Sequence, residues 1–235
     1  MKKEFGVALA DWKAPVRPEG VRLEGAYVGA EPLTTAHAAD LFRAYQADAG
    51  VWDYLPYGPY ASLADYAAWV EKVQGGSDPV FLALRDRATG RFGGVASYLR
   101  ITPEVGTIEV GHINLAPELQ RGRAATETMF LMMDWAFAAG YRRYEWKCDA
   151  LNMPSRRAAQ RLGFSYEGTF RQAAVVKGRN RDTAWFSVID GEWPRLRAAF
   201  ETWLSPTNFT PDGIQVQSLS GLTRGPGFQP DPALA

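Results

Sequence analysis

The stretch Ile113–Glu127, INLAPELQRGRAATE, decides how this chain is read. Gly106–Ala116 reads as a strand, Pro117 breaks it, and the small residues Ala124, Ala125 and Thr126 open a helix. Between the two stand Arg121, Gly122 and Arg123. A helix start has backbone N–H groups without intrahelical partners and a partial positive charge beside them. A strand-to-helix junction carrying two arginines is therefore a seat for an anion.

The anion has to be bound locally, because the chain has no global field. Twenty-six Lys and Arg balance twenty-six Asp and Glu, with a pI near 6.8, which gives no electrostatic draw toward nucleic acid or an anionic membrane. With 235 residues, 46% of them apolar, one generous domain with an appended tail is expected. The single cysteine, Cys148, excludes an internal disulfide and reads as a small buried hydrophobe, and two histidines without a cysteine cluster give no metal-ligand spacing. The apolar run FGVALA is short and is followed at once by Asp11 and Lys13, and no segment approaches the ~18 apolar residues of a membrane span. The expectation is a cytoplasmic protein with no metal and no nucleic-acid or membrane partner.

Outward from the junction, the upstream strands 79–86, 90–101 and 106–116 are joined by the turns RATG and TPEVG and form an antiparallel meander. Before them come an arm (1–20) with Pro15 and Pro18, a strand or hairpin (21–33) broken at Gly25, and a helix capped by Thr34 or Thr35 and running to about Ala47. A further helix from Ser62 to about Gln74 ends in two glycines. The helices are separated by VWDYLPYGPY (51–60), whose prolines and Gly58 exclude regular structure, while its aromatics are too many for a solvent loop. Downstream, a helix from about Arg123 to Ala139 packs Met129, Phe130, Met132, Met133 and Phe137 inward and stops at Gly140. A strand (141–148), a helix (152–163), two strands separated by the turn KGRN (177–180) and a last helix (191–204) follow. Residues 205–235, rich in proline, glycine and serine, read as an extended tail against a domain of residues 21–204.

This order resembles the GNAT acetyltransferase superfamily, which implies an α+β fold with a mixed, mostly antiparallel central sheet flanked by helices. In that family acetyl-CoA binds where two central strands splay apart. The loop after the family's fourth strand reads Gln/Arg-x-x-Gly-x-Gly/Ala, and Gln120, Arg123 and Ala125 stand at the marked places, so arginine replaces the middle glycine. The resemblance implies that the pyrophosphate is held by the N–H groups of Arg121, Gly122, Arg123, Ala124, Ala125 and Thr126, that Gly122 supplies the missing flexibility, and that Arg121 or Arg123 reaches the 3′-phosphate. The stretch NMPSRRAAQRLGFSYEGTFR (152–171) is similar to the RimJ/RimL branch. By that resemblance Asn152 bonds the pantetheine amide, Ser155 lies near the thioester sulfur, and Arg156 and Arg157 assist with the phosphates. On spacing alone, Asn152 and Ser155 read equally well as an N-cap and a helix-start serine.

Glu109, eleven residues before Gln120, occupies the place of the family's general base, and a strand N–H around Leu115 would meet the thioester carbonyl. The branch covers its acceptor with the loop between the first two helices, which gives Trp52, Tyr54 and Tyr57 as walls and Asp53 as an ammonium partner, with VVKGRNRD (175–182) closing the other side. The same aromatics would equally fill a core beneath a loop. His112, Trp146 and Trp185 read as packing residues. The implied activity is acetyl transfer from acetyl-CoA to a primary amine, either a protein N-terminus or a small molecule, by a monomer or homodimer. A non-catalytic acyl-CoA sensor is the reading from another class. Arg123 in place of glycine favours it, and the presence of both Glu109 and Ser155 speaks against it.

Overall fold

The computed structural model describes residues 3–234. Eight strands form one sheet in the order β1-β2-β3-β4-β5-β6-β8-β7. They are β1 (Leu23–Glu24), β2 (Val28–Pro32), β3 (Val80–Asp86), β4 (Phe92–Thr102), β5 (Thr107–Leu115), β6 (Arg143–Asp149), β7 (Ser165–Val176) and β8 (Arg179–Ile189). All neighbours pair antiparallel except β5 and β6, which are parallel. Parallel neighbours need a long crossover, and α3 (Arg123–Ala138) supplies it.

Alternation along the strands sends side chains to two cores. Leu82 and Leu84 of β3 join Val28, Tyr98, Ile108, Met132, Phe186 and Phe200 on the face carrying α3 and α5 (Trp193–Leu204). Phe81 and Ala83 join Leu41, Tyr66 and Val95 on the face carrying α1 (Ala38–Tyr45) and α2 (Leu63–Val73). The helix starts follow local chemistry. Ser62 Oγ accepts from the Asp65 N–H to cap α2, and Asn152 Oδ1 accepts from the Ser155 N–H to cap α4 (Met153–Arg161). One tie had no local signal: the buried Glu127 of α3 accepts from the backbone N–H groups of Ala26, Tyr27 and Val28 at 2.9, 2.6 and 2.8 Å, fixing the β1–β2 turn onto the helix. A Cβ at Gly25 would collide with that carboxylate.

Three expectations are refined. The hairpin turn between β7 and β8 is only Lys177–Gly178, both at positive φ (48° and 74°) as a two-residue turn requires, so Arg179 and Asn180 belong to β8. The second half of the arm is pinned: Arg17 donates to the Ile101 and Ser77 carbonyls, Tyr141 Oη donates to the Val16 carbonyl, and Pro15 and Pro18 are buried. The tail lies against the body, and it does so through anchors and a short helix, α6 (Leu219–Thr223), with Leu219, Thr223 and Asp231 buried. Among the described residues no helix is long and apolar enough to cross a membrane.

Candidate active site

Pairing of β5 with β6 ends at Val110 and Trp146, yet β5 runs on to Leu115 and β6 to Asp149. The two strands therefore diverge. The divergence coincides with a bulge in β5, where His112 takes φ +50° and β5 spends one residue more than β4 between Gly111 and Asn114. A second bulge places Arg100 of β4 at φ +46°. Bulges bend a strand and re-aim its side chains, and here they open the sheet.

At the end of β5 the chain turns into α3. Gln120 folds back, its Nε2 donating to the Leu115 carbonyl at 2.8 Å. The left-handed residue of the turn is Arg121 (φ +59°), not Gly122 (φ −86°), so the backbone freedom expected of the glycine is taken up by an arginine, at about 1–3 kcal/mol of strain. Gly122 is the N-cap and has no side chain with which to cap the helix. A Cβ there would meet only the Leu119 oxygen at 3.8 Å and the Ala124 nitrogen at 4.0 Å, so the local backbone has room for one. Arg123, in the family's glycine position, turns its side chain away: its guanidinium carbon lies 3.9 Å from the Phe209 ring centroid and 5.3 Å from that of Tyr27. Its backbone stays available to an anion. Thr126 is buried, its hydroxyl donating to the Gly122 carbonyl and accepting from Arg161 Nη1 at 3.2 Å.

Arg161, which the sequence did not single out, is thus the arginine of α4 that reaches the start of α3, with its guanidinium over Trp203. Arg156, expected to assist with phosphates, is engaged elsewhere. It is 6% exposed, its Nε and Nη2 grip the Asp231 carboxylate of the tail, and its Nη1 donates to the Ala150 carbonyl. Arg157 is exposed. No local signal separates these arginines, since the partner that decides between them lies 75 residues away. Ser155 Oγ accepts from Trp146 Nε1 at 3.0 Å, and its own hydroxyl lies within hydrogen-bond reach of Cys148. Burial pushes the neighbouring Cys148 thiol up to about 11.

On the opposite face, Glu109 is 3% exposed. Arg100 Nη1 lies 2.7 Å from each of its oxygens and Lys147 Nζ 2.9 Å from Oε2. Lys147 also pairs with Glu145, and Arg143 joins Glu145 to Glu167. The Glu109 carboxyl is raised above the usual carboxylate range, because burial outweighs the downward pull of Lys147 and Arg100. Three of its roughly four lone-pair directions are occupied. The free one lies on Oε1, beside Gly111, where a Cβ would sit 3.4 Å from that oxygen.

The aromatic loop is anchored at three points. Trp52 is buried among Tyr45, Tyr60 and Tyr66 and is a core residue. Its carbonyl accepts from Lys177 Nζ at 2.8 Å, bringing in the β7–β8 turn. Tyr54 is exposed and its Oη donates to the Leu151 carbonyl at 3.2 Å, bridging to the β6–α4 junction beside Asn152. Tyr57 Oη meets His112 Nδ1 at 3.1 Å, with the two rings stacked. Asp53 is exposed.

Burial, with the nearby charges of Arg100 and Arg181, lowers the His112 pKa to about 4. A group depressed in the folded state binds its proton preferentially when unfolded, so stability is lost as pH falls from the unfolded pKa near 6.5 toward 4. Between pH 6.5 and 4.5 this one group should account for about 2 kcal/mol. Urea unfolding of wild type and His112→Gln at both pH values checks it: the variant should lose about that much less.

A model of the acetyltransferase (GNAT) domain matches residues 29–165, more than half of the chain. A GCN5-related N-acetyltransferase from Brucella melitensis is 45% identical over 92% of this chain and 99% of its own, with a TM-score of 0.89. A probable GNAT-family acetyltransferase from Chromobacterium violaceum ATCC 12472 is 39% identical over 83% and 98%, with a TM-score of 0.77. The ribosomal L7/L12 α-N-protein acetyltransferase RimL shares the fold at 18% identity, covering 72% of this chain and 94% of its own, with a TM-score of 0.63. No match was found among curated protein sequences. The chain belongs to the GNAT acetyltransferases, enzymes that use acetyl-CoA for acyl transfer.

Proposed function

We propose that this protein acetylates a primary amine directly from acetyl-CoA, both substrates bound together in the gap between β5 and β6, and that it is of the RimJ/RimL type. The observation that carries the reading is the divergence of β5 from β6 in front of an α3 start that no side chain caps. The branch assignment is supported by Asn152-x-x-Ser155 opening α4 and by Leu162-Gly163-Phe164 closing it.

The uncapped start of α3, with Arg121 beside it and Arg161 behind Thr126, suits a pyrophosphate. Acetyl-CoA supplies the acyl thioester: the amine nitrogen bonds to its carbonyl carbon, the C–S bond breaks, and the amine's proton is given up as the CoA thiol is protonated. A strand N–H near Leu115 would hold the carbonyl oxygen. Ser155 would turn its hydroxyl proton from Cys148 to the leaving sulfur; a thiol pKa of about 8.5 makes this a modest assistance. Glu109 takes the amine's proton through a water at Oε1. Freeing an α-amine (pKa about 8) near neutral pH costs about 1 kcal/mol, against roughly 4 for a lysine, and a carboxylate already shared with two cations suits the former. Tyr57, stacked on His112, and Asp53 would flank the amine, whereas Trp52 holds the loop from beneath.

The test combines binding and turnover. CoA at a hundredfold excess over Kd should stabilise the fold by about 2.7 kcal/mol, and an amine panel should release free thiol from acetyl-CoA. A melting temperature unmoved by millimolar CoA would sink the binding site. Binding without thiol release across α-amines, lysine peptides and small amines would leave only the CoA-binding sensor.

A further inference from the structure

The face of β5, β6 and β8 that carries Glu109 has a nearly complete charge balance. Arg100, Lys147 and Arg143 are matched by Glu109, Glu145 and Glu167 in one linked set of ion pairs. Arg181 of β8 stands outside that set. Among the described residues it forms no ion pair, and its Nε is shut off from solvent with no hydrogen-bond partner. Asp182, next to it, is occupied with the Gln172 N–H and the Asn180 amide. Two further side chains are orphaned in the same way. Asn114, 3% exposed, has neither its amide nitrogen nor its oxygen bonded, and the indole N–H of Trp185 is buried without an acceptor.

Register places them along the same stretch of the sheet. Val110 pairs with Trp146 and Asp149 with Thr183, and β5 spends one bulge residue between Gly111 and Asn114, so Asn114 stands level with Thr183 and Arg181 lies two residues further along β8. Trp185 lies 3.9 Å from the Lys147 ammonium, and alternation puts Arg181 on that same face of β8. Leaving buried donors unpaired costs about 1–3 kcal/mol each, more for a charged one, so their natural partner is a ligand. Arg181 is one planar fork carrying one uncompensated charge, which matches a carboxylate in shape and in charge; a phosphate dianion would leave the face negative.

We propose that the acceptor carries a carboxylate close to its amine, as an amino acid does, and that Arg181 binds this carboxylate. The proposal rests on the acetyl-transfer reading of the same gap. Arg181 lies close enough to His112, on the bulge of β5, for its charge to help lower the pKa of that histidine.

Thiol release from acetyl-CoA with amino acids, set against the matched α-amides and decarboxylated amines, reads the preference directly. The carboxylated member of each pair should show at least tenfold higher kcat/KM. Arg181→Gln should raise the KM for the amino acid at least tenfold, leave the KM for acetyl-CoA within twofold and erase the preference, and Arg181→Lys should recover part of it. Calorimetry with N-acetyl amino acids in the presence of CoA reads the same site without turnover, and a thermal melt confirms that each variant is folded. If no amine is turned over yet N-acetyl amino acid binding is lost in Arg181→Gln, the carboxylate site stands and the transfer reading falls. Equal kcat/KM within the pairs, absent or unchanged N-acetyl amino acid binding in the variant, or a rise confined to the KM for acetyl-CoA would overturn the proposal.

Discussion

Glu109→Gln should lower kcat by about a hundredfold or more at pH 6.5, within the range for removal of a general base, and by progressively less as pH rises. The amide keeps the size of the side chain and can still accept from Arg100, and Lys147 retains its 2.7 Å pairing with Glu145, so the face should stay assembled. What the variant loses is the free Oε1 acceptor with its negative charge. An α-amine becomes neutral unaided above its pKa, so the deficit shrinks there. Initial rates with saturating acetyl-CoA from pH 6 to 9, on wild type and variant, separate two roles. A deficit that narrows with pH identifies a base, whereas one constant across the range means that Glu109 only holds Arg100 and Lys147 in position.

The largest stability effect is expected far from the gap. Asp231→Ala strands the Arg156 guanidinium, whose side chain is 7% exposed, and leaving a buried charge without its partner costs about 3–5 kcal/mol. For a chain of this size that is a drop in Tm of roughly 10 °C. The double variant Arg156→Met/Asp231→Leu removes both charges at similar volume and should recover most of the loss. The pair holds the tail against α4, together with the Gln229 carbonyl that accepts from the Tyr166 N–H and the Gln160 side chain that accepts from the Asp231 N–H. Limited proteolysis should therefore cut the tail of Asp231→Ala first. Tail cleavage no faster than in wild type would show that Leu219 and α6 alone suffice to hold it.

The sequence by itself determined what depends on near neighbours. The order of helices and strands, the stop of α3 before Gly140, the Asn152 cap on α4 and the strand-to-helix junction at Leu115–Arg123 follow from propensity, capping and turn chemistry within a few residues. The mixed sheet was legible only through the family resemblance, and the parallel β5–β6 pair bridged by α3 bears it out. Only the tertiary structure decided which of several like residues serves which end. Arg156, Arg157 and Arg161 share one helix and one composition, yet the first is taken by Asp231 and the third by Thr126, because a tail 75 residues on and a second helix supply the partners. Trp52 and Tyr57 are equally aromatic in sequence, but packing sends one into the core and stacks the other on His112. The bulges at Arg100 and His112, the left-handed turn at Arg121 and the orphaned donors of Asn114 and Arg181 carry no local signature. They arise from strand register and burial, which exist only once distant segments have paired.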